Sequence, residues 1–171
     1  MCGIVGYIGT KNATPIVLDG LQRLEYRGYD SAGVAVIKDD QIAIRRDVGK
    51  LINLRERVNG SPIEGNIGIG HTRWATHGAP VEHNAHPHVS MHGDFVVVHN
   101  GIVENYLELR EELMAEGVTF ASDTDTEVIV QLIERYAHNG AAGDITEITR
   151  RAVSRLRGAH AIVVMSKDQP D

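Results

Sequence analysis

The sequence contains one cysteine, and this scarcity already limits what kind of protein it encodes. A single thiol among 171 residues cannot form an internal disulfide or a zinc cluster made of thiolates. Small secreted scaffolds that depend on disulfides are therefore excluded, and the composition fits a reducing compartment. The cysteine stands directly behind the initiator methionine, as Cys2.

Basic patches and long apolar runs are also missing. The 17 Lys and Arg residues are scattered and the formal net charge is -6, so no stripe of positive charge is available for nucleic acid or an anionic membrane. The apolar stretch at 4–8 has no positive region before it and is too short for a signal peptide or a membrane span. We therefore expect a cytoplasmic protein that binds neither nucleic acid nor membranes.

What is present describes an ordinary globular domain. Hydrophobic residues make up 42% and charged residues 23% of the chain, which is long enough to bury a substantial core. Short apolar segments come in hairpin-like groups, with segments of helical period between them. This pattern predicts a mainly antiparallel α+β domain built in layers. The predicted strands are 2–9, 32–37, 41–46, 66–74, 95–99 and 159–166, and the predicted helices, caps included, are 14–28, 50–58, 106–116, 124–138 and 144–158.

Local signals mark the ends of several elements. Thr14 followed by Pro15 has the form of a helix N-cap with proline at the first helical position. Residues 124–127 (TDTE) have the form of a capping box, and Gly117 stands where a helix C-terminus favours glycine. Residues 75–92 contain Gly, Pro and most of the histidines without a clear period. They are predicted to form a long loop, and long loops in compact domains are often functional.

Cys2 can serve as a nucleophile that carries its own base. Once Met1 is removed, the residue bears a thiol and an α-amine, and an α-amine titrates near ~8 in model peptides. A neutral amine can take the proton of the thiol, directly or through a water, so one residue supplies both nucleophile and general base. On position alone, an incidental cysteine is the more frequent explanation.

Residues 70–78 (GHTRWATHG) lie at the end of a predicted strand and offer groups for binding an anion. Arg73 can hold a carboxylate with two parallel hydrogen bonds, and Thr76 or His77 can add further donors. The alternative is a surface arginine beside a partly buried Trp74. For an arginine and a tryptophan alone, that alternative would be preferred.

Two further positions allow a structural and a functional interpretation. Asn100 and Gly101 follow a predicted strand, where an asparagine amide and a glycine N–H can donate to one oxygen, as an oxyanion hole requires. An Asn-Gly turn between strands is the more common interpretation of this pair. Asp125 precedes a predicted helix, where a carboxylate stabilises the helix by about 0.5–1 kcal/mol or faces a substrate ammonium group. Both roles are compatible at Asp125.

His83, His86 and His88 raise the question of a metal site. No thiol is near them in the sequence, Pro87 separates two of them, and nothing identifies the distant ligands that a metal would need. We therefore expect no metal and no cofactor. A metal-binding module in which Cys2 is incidental is kept as an alternative.

Taken together, several segments resemble one family. In order along the chain they are MCGIVGYIG, LEYRGYDSAG, HTRWATHG, NAHPH, VVHNGIVEN and SDTDTEV. They are similar to the N-terminal glutaminase domain of the glutamine–fructose-6-phosphate aminotransferases (isomerising), which are amidotransferases with an N-terminal nucleophile. MCGIVG and HNGI are shared widely among such amidotransferases, whereas LEYRGYDSAG and HTRWATHG are narrower. The resemblance extends over residues 1–171.

The resemblance implies a fold and three catalytic residues. The fold is an αββα sandwich, with two antiparallel sheets between helical layers. Cys2, after loss of Met1, would attack the side-chain amide of L-glutamine. Its α-amine would act as base and then as acid, releasing ammonia and leaving a thioester that water hydrolyses. Asn100 and the N–H of Gly101 would stabilise the tetrahedral oxyanion.

The resemblance also implies substrate-binding and supporting residues. Arg73, with Thr76 and His77, would bind the α-carboxylate of glutamine, and Asp125 would bind its α-ammonium group. The supporting residues would be Arg27, which orders the nucleophile loop, Trp74, which gates the ammonia route, and His86, which supports the glutamine-site loop.

In this family the sugar-phosphate isomerase half lies C-terminal to the glutaminase domain. The full-length enzyme is expected to be a homodimer that makes glucosamine 6-phosphate from fructose 6-phosphate. We expect residues 1–171 to be a glutaminase domain that continues beyond Asp171. The nearest alternative is the glutaminase half of an amidophosphoribosyltransferase or an asparagine synthetase.

Overall fold

The computed structural model describes residues 2–139 and 144–169, so the predicted removal of Met1 and the end of the chain at 170–171 lie outside the described residues. The strands are β1 (Gly3–Ile8), β2 (Ser31–Lys38), β3 (Gln41–Val48), β4 (Ile67–Arg73), β5 (His88–Val89), β6 (Phe95–Gly101) and β7 (His160–Ser166). The α-helices are α1 (Ala13–Gln22), α2 (Leu51–Gly60), α3 (Tyr106–Ala115), α4 (Glu127–His138) and α5 (Ile145–Val153).

The strands form two antiparallel sheets that face each other. One sheet has the order β1-β4-β2-β3, and the other has the order β5-β6-β7. Successive side chains of a strand point to opposite faces. In β6, Val96 and Val98 therefore face the first sheet, whereas Val97 faces the helices. The apolar core between the sheets includes Ala35 and Ile69 from the first sheet.

Helices cover the outer face of each sheet. Helices α1 and α2 pack on the four-stranded sheet through residues such as Leu21 and Leu54. Helices α3, α4 and α5 pack on the three-stranded sheet through residues such as Leu109, Ile133 and Ile148. Helix α4 lies between α3, α5 and β6, which is why its residues are buried on every side from its first turn to its third. The predicted α+β fold and the αββα order of layers are confirmed.

Local sequence signals were correct where their partners are near in the chain. Gly117 follows α3 with a φ of +90°. The N–H of Gly117 donates to Met114 O at 3.0 Å and the N–H of Val118 donates to Leu113 O at 3.0 Å, which is the pair of bonds that a C-terminal glycine permits. At the start of α5 the Asp144 side chain accepts from the N–H of Glu147 at 2.9 Å, as an N-cap does.

The predicted boundaries of the first helix were wrong at both ends. Asn12, rather than Thr14, caps α1, because its Oδ1 accepts from the N–H of Thr14 at 3.2 Å. The hydroxyl of Thr14 instead donates to Ile63 O at 2.7 Å, inside the protein. The helix ends at Gln22, and the remaining predicted stretch contains a separate 3₁₀ turn at Glu25–Arg27.

The predicted capping box was also wrong, whereas the predicted long loop was correct except for two short elements. Helix α4 begins at Glu127, and its carboxylate accepts from the N–H groups of Ala121 and Ser122 at 2.8 and 2.7 Å. Thr124 contacts a histidine of β5 instead of capping the helix. The segment 75–92 contains a 3₁₀ turn and β5, which pairs with β6. At Thr14 and at Thr124, a tertiary contact replaced the expected local cap.

Candidate active site

Most of the predicted site residues line one pocket of about 390 Å³. Asn100 lies beside this pocket, in hydrogen-bond contact with Cys2. Arg27 does not line the pocket; it ends a 3₁₀ turn, and the following residue, Gly28, lies against Trp74. The predicted residues that line the pocket are Cys2, Arg73, Trp74, Thr76, His77, His86, Gly101 and Asp125.

Antiparallel pairing brings the start of β1 to the end of β4. Gly3 lies opposite Thr72, so Cys2 comes next to Trp74, whose N–H donates to Cys2 Sγ at 3.2 Å. The N–H of Gly3 donates to Thr72 Oγ1 at 3.1 Å. A Cβ at position 3 would lie 2.7 Å from Leu24 Cδ1 and 2.9 Å from Thr72 Oγ1. Glycine allows this close approach without displacing Leu24 or Thr72, and the approach holds Cys2 at the pocket wall.

Asn100 and Gly101 are the last residues of β6, so the interpretation as a turn was wrong. They pair with Ala161 and His160 of β7. The Asn100 side chain donates through Nδ2 to Cys2 O at 3.4 Å, which places an amide donor beside the predicted nucleophile. Gly101 has a φ of +136°, and a Cβ there would lie 2.3 Å from Ala159 O, so the strand can end in this way only with glycine.

Arg73 is almost completely buried and ties down the loop that follows β4. Its Nη2 donates to His77 O and to Gly78 O, the latter at 3.0 Å, and its Nη1 donates to Ala79 O at 3.4 Å. Asp30 Oδ1 lies 3.9 Å from Nη1 and supplies a partner charge. A guanidinium has five N–H donors, more than these carbonyls use, so Arg73 can also present a donor to the pocket.

Asp125 places a negative charge on the same pocket. Its Oδ2 accepts from the N–H of Val103 at 2.7 Å, which fixes the chain after β6. Its Oδ1 lies 3.8 Å from Nδ1 of His77, whose ring contacts Tyr106 edge-on at 5.2 Å. The carboxylate therefore combines a structural contact through one oxygen with a position facing the pocket through the other.

Trp74 and His86 both line the pocket, but Trp74 is exposed and His86 is buried. Trp74 is 55% exposed and stands at the surface. A Cβ at Gly28 would lie 3.2 Å from the Trp74 ring, so the segment that carries Arg27 contacts this tryptophan. His86 is buried, with its ring 4.1 Å from the ring of His71 and 4.7 Å from that of His88.

The buried histidines around the pocket are neutral at physiological pH. Burial lowers the pKa of His71 to about 4 and that of His99 to about 4. Burial also lowers the pKa of His86 and of His88 well below the usual value, and the neighbouring histidines and Arg73 act in the same direction. Arg73 supplies a permanent positive charge beside the pocket.

One family model matches residues 71–171 of the chain, and its description is a glutamine amidotransferase domain. The chain belongs to this family. The match contains Arg73, Asn100 and Asp125, although it begins after the strand that follows Cys2. The glutamine amidotransferase match therefore includes the predicted binding residues Arg73 and Asp125, and it includes Asn100 beside Cys2.

Curated relatives of this amidotransferase domain match the whole chain. The glutamine–fructose-6-phosphate aminotransferase (isomerizing) of Caldanaerobacter subterraneus subsp. tengcongensis is 56% identical over 171 residues. The enzyme of the same name from Clostridium tetani is 54% identical over the same length. The match covers 100% of this chain and 28% of each relative. The chain thus spans about a quarter of the length of these relatives.

Two solved structures share the fold of this amidotransferase domain. One is the glutamine phosphoribosylpyrophosphate amidotransferase of B. subtilis complexed with ADP and GMP, with a TM-score of 0.81 and 26% identity. The other is described as the allosteric regulatory enzyme of purine biosynthesis, with a TM-score of 0.83 and 26% identity. The matches cover 98% of this chain and 35% and 36% of those chains.

Sequence reasoning missed His71 and His99. His71 Nε2 lies 2.8 Å from Asn100 Oδ1. His99 lines the pocket and contacts Thr126 Oγ1 through Nδ1 at 2.9 Å and His160 Nδ1 through Nε2 at 3.0 Å. The spacing of two between His71 and Arg73 was a usable signal, because it places both on one face of a strand.

The histidines of 75–92 do not converge on a metal. His83 faces Asp123 at 3.4 Å on the surface, whereas His86 and His88 are buried. Within residues 2–139 and 144–169, no group of three His, Cys, Asp or Glu side chains is arranged to hold a metal ion. In the same part of the chain, no helix has the length and apolar character needed to cross a membrane.

Proposed function

We propose that the pocket hydrolyses the side-chain amide of L-glutamine to glutamate and ammonia, with Cys2 as the nucleophile. The observation that carries this proposal is the shared pocket of Cys2, Arg73 and Asp125 in a glutamine amidotransferase domain. Glutamine has an α-carboxylate and an α-ammonium group at one end and an amide at the other. The pocket offers a cation, an anion and a thiol to match these three groups.

The catalytic end of the pocket supplies nucleophile, base and oxyanion donors. After removal of Met1, the α-amine of Cys2 takes the thiol proton, and sulfur attacks the amide carbon to form a tetrahedral oxyanion. Asn100 Nδ2 and the N–H of Gly101 donate to that oxygen. The carbon–nitrogen bond breaks as the ammonium form of the amine protonates the leaving nitrogen, so ammonia departs. Water then hydrolyses the thioester, which releases glutamate and restores the thiol.

The binding end of the pocket holds the α-carboxylate and α-ammonium groups of glutamine. Arg73 binds the α-carboxylate with its guanidinium, and Thr76 and His77 add hydrogen bonds from the loop that Arg73 holds. Asp125 Oδ1 binds the α-ammonium group. Charge-assisted hydrogen bonds contribute roughly 1.5–3 kcal/mol each, which is enough to separate glutamine from simple amides.

Three residues support the site without touching the reacting atoms. Arg27 orders the segment next to the nucleophile, a role supported by the contact of the following residue, Gly28, with Trp74. Trp74 borders the route by which ammonia leaves the pocket, and its exposed ring at the pocket wall supports that role. His86 stabilises the loop of the glutamine site from its buried position.

For a longer chain we propose that the ammonia aminates fructose 6-phosphate to give glucosamine 6-phosphate. The names and lengths of the relatives support this, since they are 54–56% identical and residues 1–171 correspond to 28% of them. In such a chain residues 1–171 belong to the glutaminase domain, an isomerase domain follows, and the enzyme is a cytoplasmic homodimer. An amidophosphoribosyltransferase is the second candidate, favoured by the two solved structures at 26% identity.

The test is release of glutamate and ammonia from glutamine by the full chain, with loss of Met1 verified by intact mass. We expect turnover in the native protein and none in Cys2→Ala. A matched control is Thr14→Val, which removes a buried hydrogen bond to Ile63 O on the other side of the sheet from the pocket. Undiminished release by Cys2→Ala contradicts the proposal. Adding fructose 6-phosphate or phosphoribosyl pyrophosphate to the full-length enzyme distinguishes the two acceptors.

A further inference from the structure

His71 connects the two sheets at the nucleophile. It lies on β4, two residues before Arg73, and it is 0% exposed. Its Nε2 is 2.8 Å from Oδ1 of Asn100, which lies on β6 of the other sheet. The other atom of the same amide, Nδ2, donates to Cys2 O at 3.4 Å. A single side-chain amide thus lies between a buried histidine and the nucleophilic residue.

The two ends of that amide have opposite chemistry. Amide oxygen only accepts hydrogen bonds and amide NH₂ only donates them. Because Cys2 O is an acceptor, the NH₂ of Asn100 must face Cys2, and its oxygen must then face His71. The oxygen needs a donor, so the proton of the neutral His71 ring is on Nε2. The tautomer of His71 and the orientation of Asn100 are therefore linked.

We infer that His71 is a positioning residue that keeps the NH₂ of Asn100, rather than its oxygen, turned toward the reacting carbonyl. The inference rests on the proposed function, in which Asn100 stabilises the oxyanion. With the proton of His71 on the other ring nitrogen, Nε2 would accept and the amide would turn by half a rotation. The oxygen of Asn100 would then face the developing oxyanion and repel it.

The surroundings of His71 keep its ring neutral and in place, as the positioning of Asn100 requires. Burial lowers the pKa of His71 to about 4, so the ring carries a single N–H at neutral pH. The hydrogen bond to Asn100 opposes this decrease, and Nδ1 of the ring has no hydrogen-bond partner within the described residues. The His86 ring packs 4.1 Å away and Thr72 and Arg73 follow in the strand, so the ring cannot move away from Asn100 without disturbing the pocket.

The first test compares two substitutions of His71 in the full chain, with Met1 removed. His71→Phe fills the volume but has no donor, whereas His71→Gln can place an NH₂ near the position of Nε2. Removing one oxyanion donor costs about 10²–10³-fold in kcat. We expect His71→Phe to lower kcat by about 10- to 100-fold with little change in KM for glutamine, and His71→Gln to restore most of the loss.

A double-substitution cycle separates positioning from structural damage. If His71 acts only through Asn100, adding His71→Phe to Asn100→Ala causes no further loss of kcat. Additive losses in the double variant would overturn the inference. A loss in Asn100→Ala together with full kcat in folded His71→Phe would overturn it as well, while leaving the proposed function intact. Full kcat in Asn100→Ala would instead contradict the oxyanion role in the proposed function.

A measurement on the unsubstituted protein keeps the inference testable if His71→Phe does not fold. The nitrogen chemical shifts of a neutral imidazole report which ring nitrogen carries the proton. We expect the His71 ring to be protonated on Nε2 at neutral pH. Protonation on Nδ1 would overturn the inference without any substitution at this position.

Discussion

The proposed catalytic end of the pocket, with Cys2 and Asn100, and the proposed binding end, with Arg73, Thr76 and His77, are built in different ways. Cys2 and Asn100 are fixed by strands, since the first precedes β1 and the second lies in β6, where both neighbours along the strand are paired. Thr76 and His77 lie on a loop, and the backbone of that loop is held by the side chain of Arg73. The reacting atoms therefore depend on two sheets, whereas the binding groups depend on one guanidinium.

This difference separates the expected effects of substitution. Strand pairing survives a change of side chain, so a substitution at the catalytic end should remove one chemical function and leave the pocket in place. A substitution of Arg73 removes the proposed substrate contact and also releases the carbonyls of 77–79. We therefore expect changes in kcat at the first end and changes in KM at the second.

Among changes that leave every side chain in place, blocking the α-amine of Cys2 should cause the largest loss of glutaminase turnover. Inserting a bulky residue before Cys2 keeps its α-amine in an amide bond, and an amide cannot act as the general base. General base assistance is worth about 10²–10⁴-fold, and we expect a loss of glutaminase turnover of that order. Intact mass verifies the blocked N-terminus and circular dichroism verifies the fold. Full turnover by protein with the amine blocked would exclude the amine as base.

Asn100→Ala should have the next largest effect, and it should act on kcat. The oxyanion exists only in the transition state, so removing the Asn100 donor does not weaken the binding of glutamine itself. We expect a decrease of about 10²–10³-fold in kcat at nearly constant KM, measured by steady-state kinetics. An increase in KM alone would place Asn100 among the binding residues and remove the distinction between the two ends.

Arg73→Lys and Asp125→Asn should act on KM. Lysine cannot reproduce the planar fork of arginine, and asparagine keeps an acceptor for the N–H of Val103 while it loses the charge. Losing one charge-assisted hydrogen bond should raise KM for glutamine by roughly 10- to 100-fold. The two variants should be measured beside Asn100→Ala under identical conditions. A lower kcat at unchanged KM in both would reverse the assignment of the two ends.

The smallest expected effect is a decrease in the free energy of unfolding in mild acid that is due to His71, which joins the two sheets. The pKa of His71 is about 4 in the folded chain and near 6.5 when the ring is solvated, so the unfolded state binds more protons between these values. The free energy of unfolding should therefore fall as pH falls from about 6.5 to 4, by up to about 1.4 kcal/mol per pH unit from this residue. His71→Gln should reduce that slope in denaturant titrations. An unchanged slope would contradict a neutral buried His71.

The carboxylates with a shifted pKa, Asp94, Glu112, Asp123 and Glu147, all have it lowered, away from this pH window. Hydrogen bonds from Arg155 and Arg135 lower the pKa of Glu112 to about 2, so its contribution is lost only as pH falls below about 4.5. Measurements between pH 7 and 5 therefore report mainly on the buried histidines.

The parts of the fold that sequence could predict have local causes. Gly117 and Asp144 make their hydrogen bonds within a few residues, so the end of α3 and the start of α5 were readable. Strand β5 has two residues and exists because it pairs with β6, which no local pattern shows. Glu127 resembled part of a capping box, but its carboxylate binds the two N–H groups at 121 and 122 instead.

The same division applies to the site. The residues of HTRWATHG and the start of the chain could be recognised as carriers of chemistry, because their types and order are distinctive. The contact of His71 with Asn100 joins residues that are 29 positions apart and on different sheets. Its existence depends on how the sheets face each other, so a linear pattern could name both residues without linking them.

The most direct test of the proposed chemistry is covalent labelling of Cys2 by a glutamine-analogue electrophile such as 6-diazo-5-oxo-norleucine. Met1-free protein is incubated with the analogue, and peptide mass spectrometry locates and counts the adduct, with excess glutamine as competitor and Cys2→Ala as control. We expect one adduct per chain on Cys2, protection by glutamine and no adduct in Cys2→Ala. An adduct that persists in Cys2→Ala, or labelling of Cys2 that glutamine does not slow, would contradict a glutamine-hydrolysing site with Cys2 as its nucleophile.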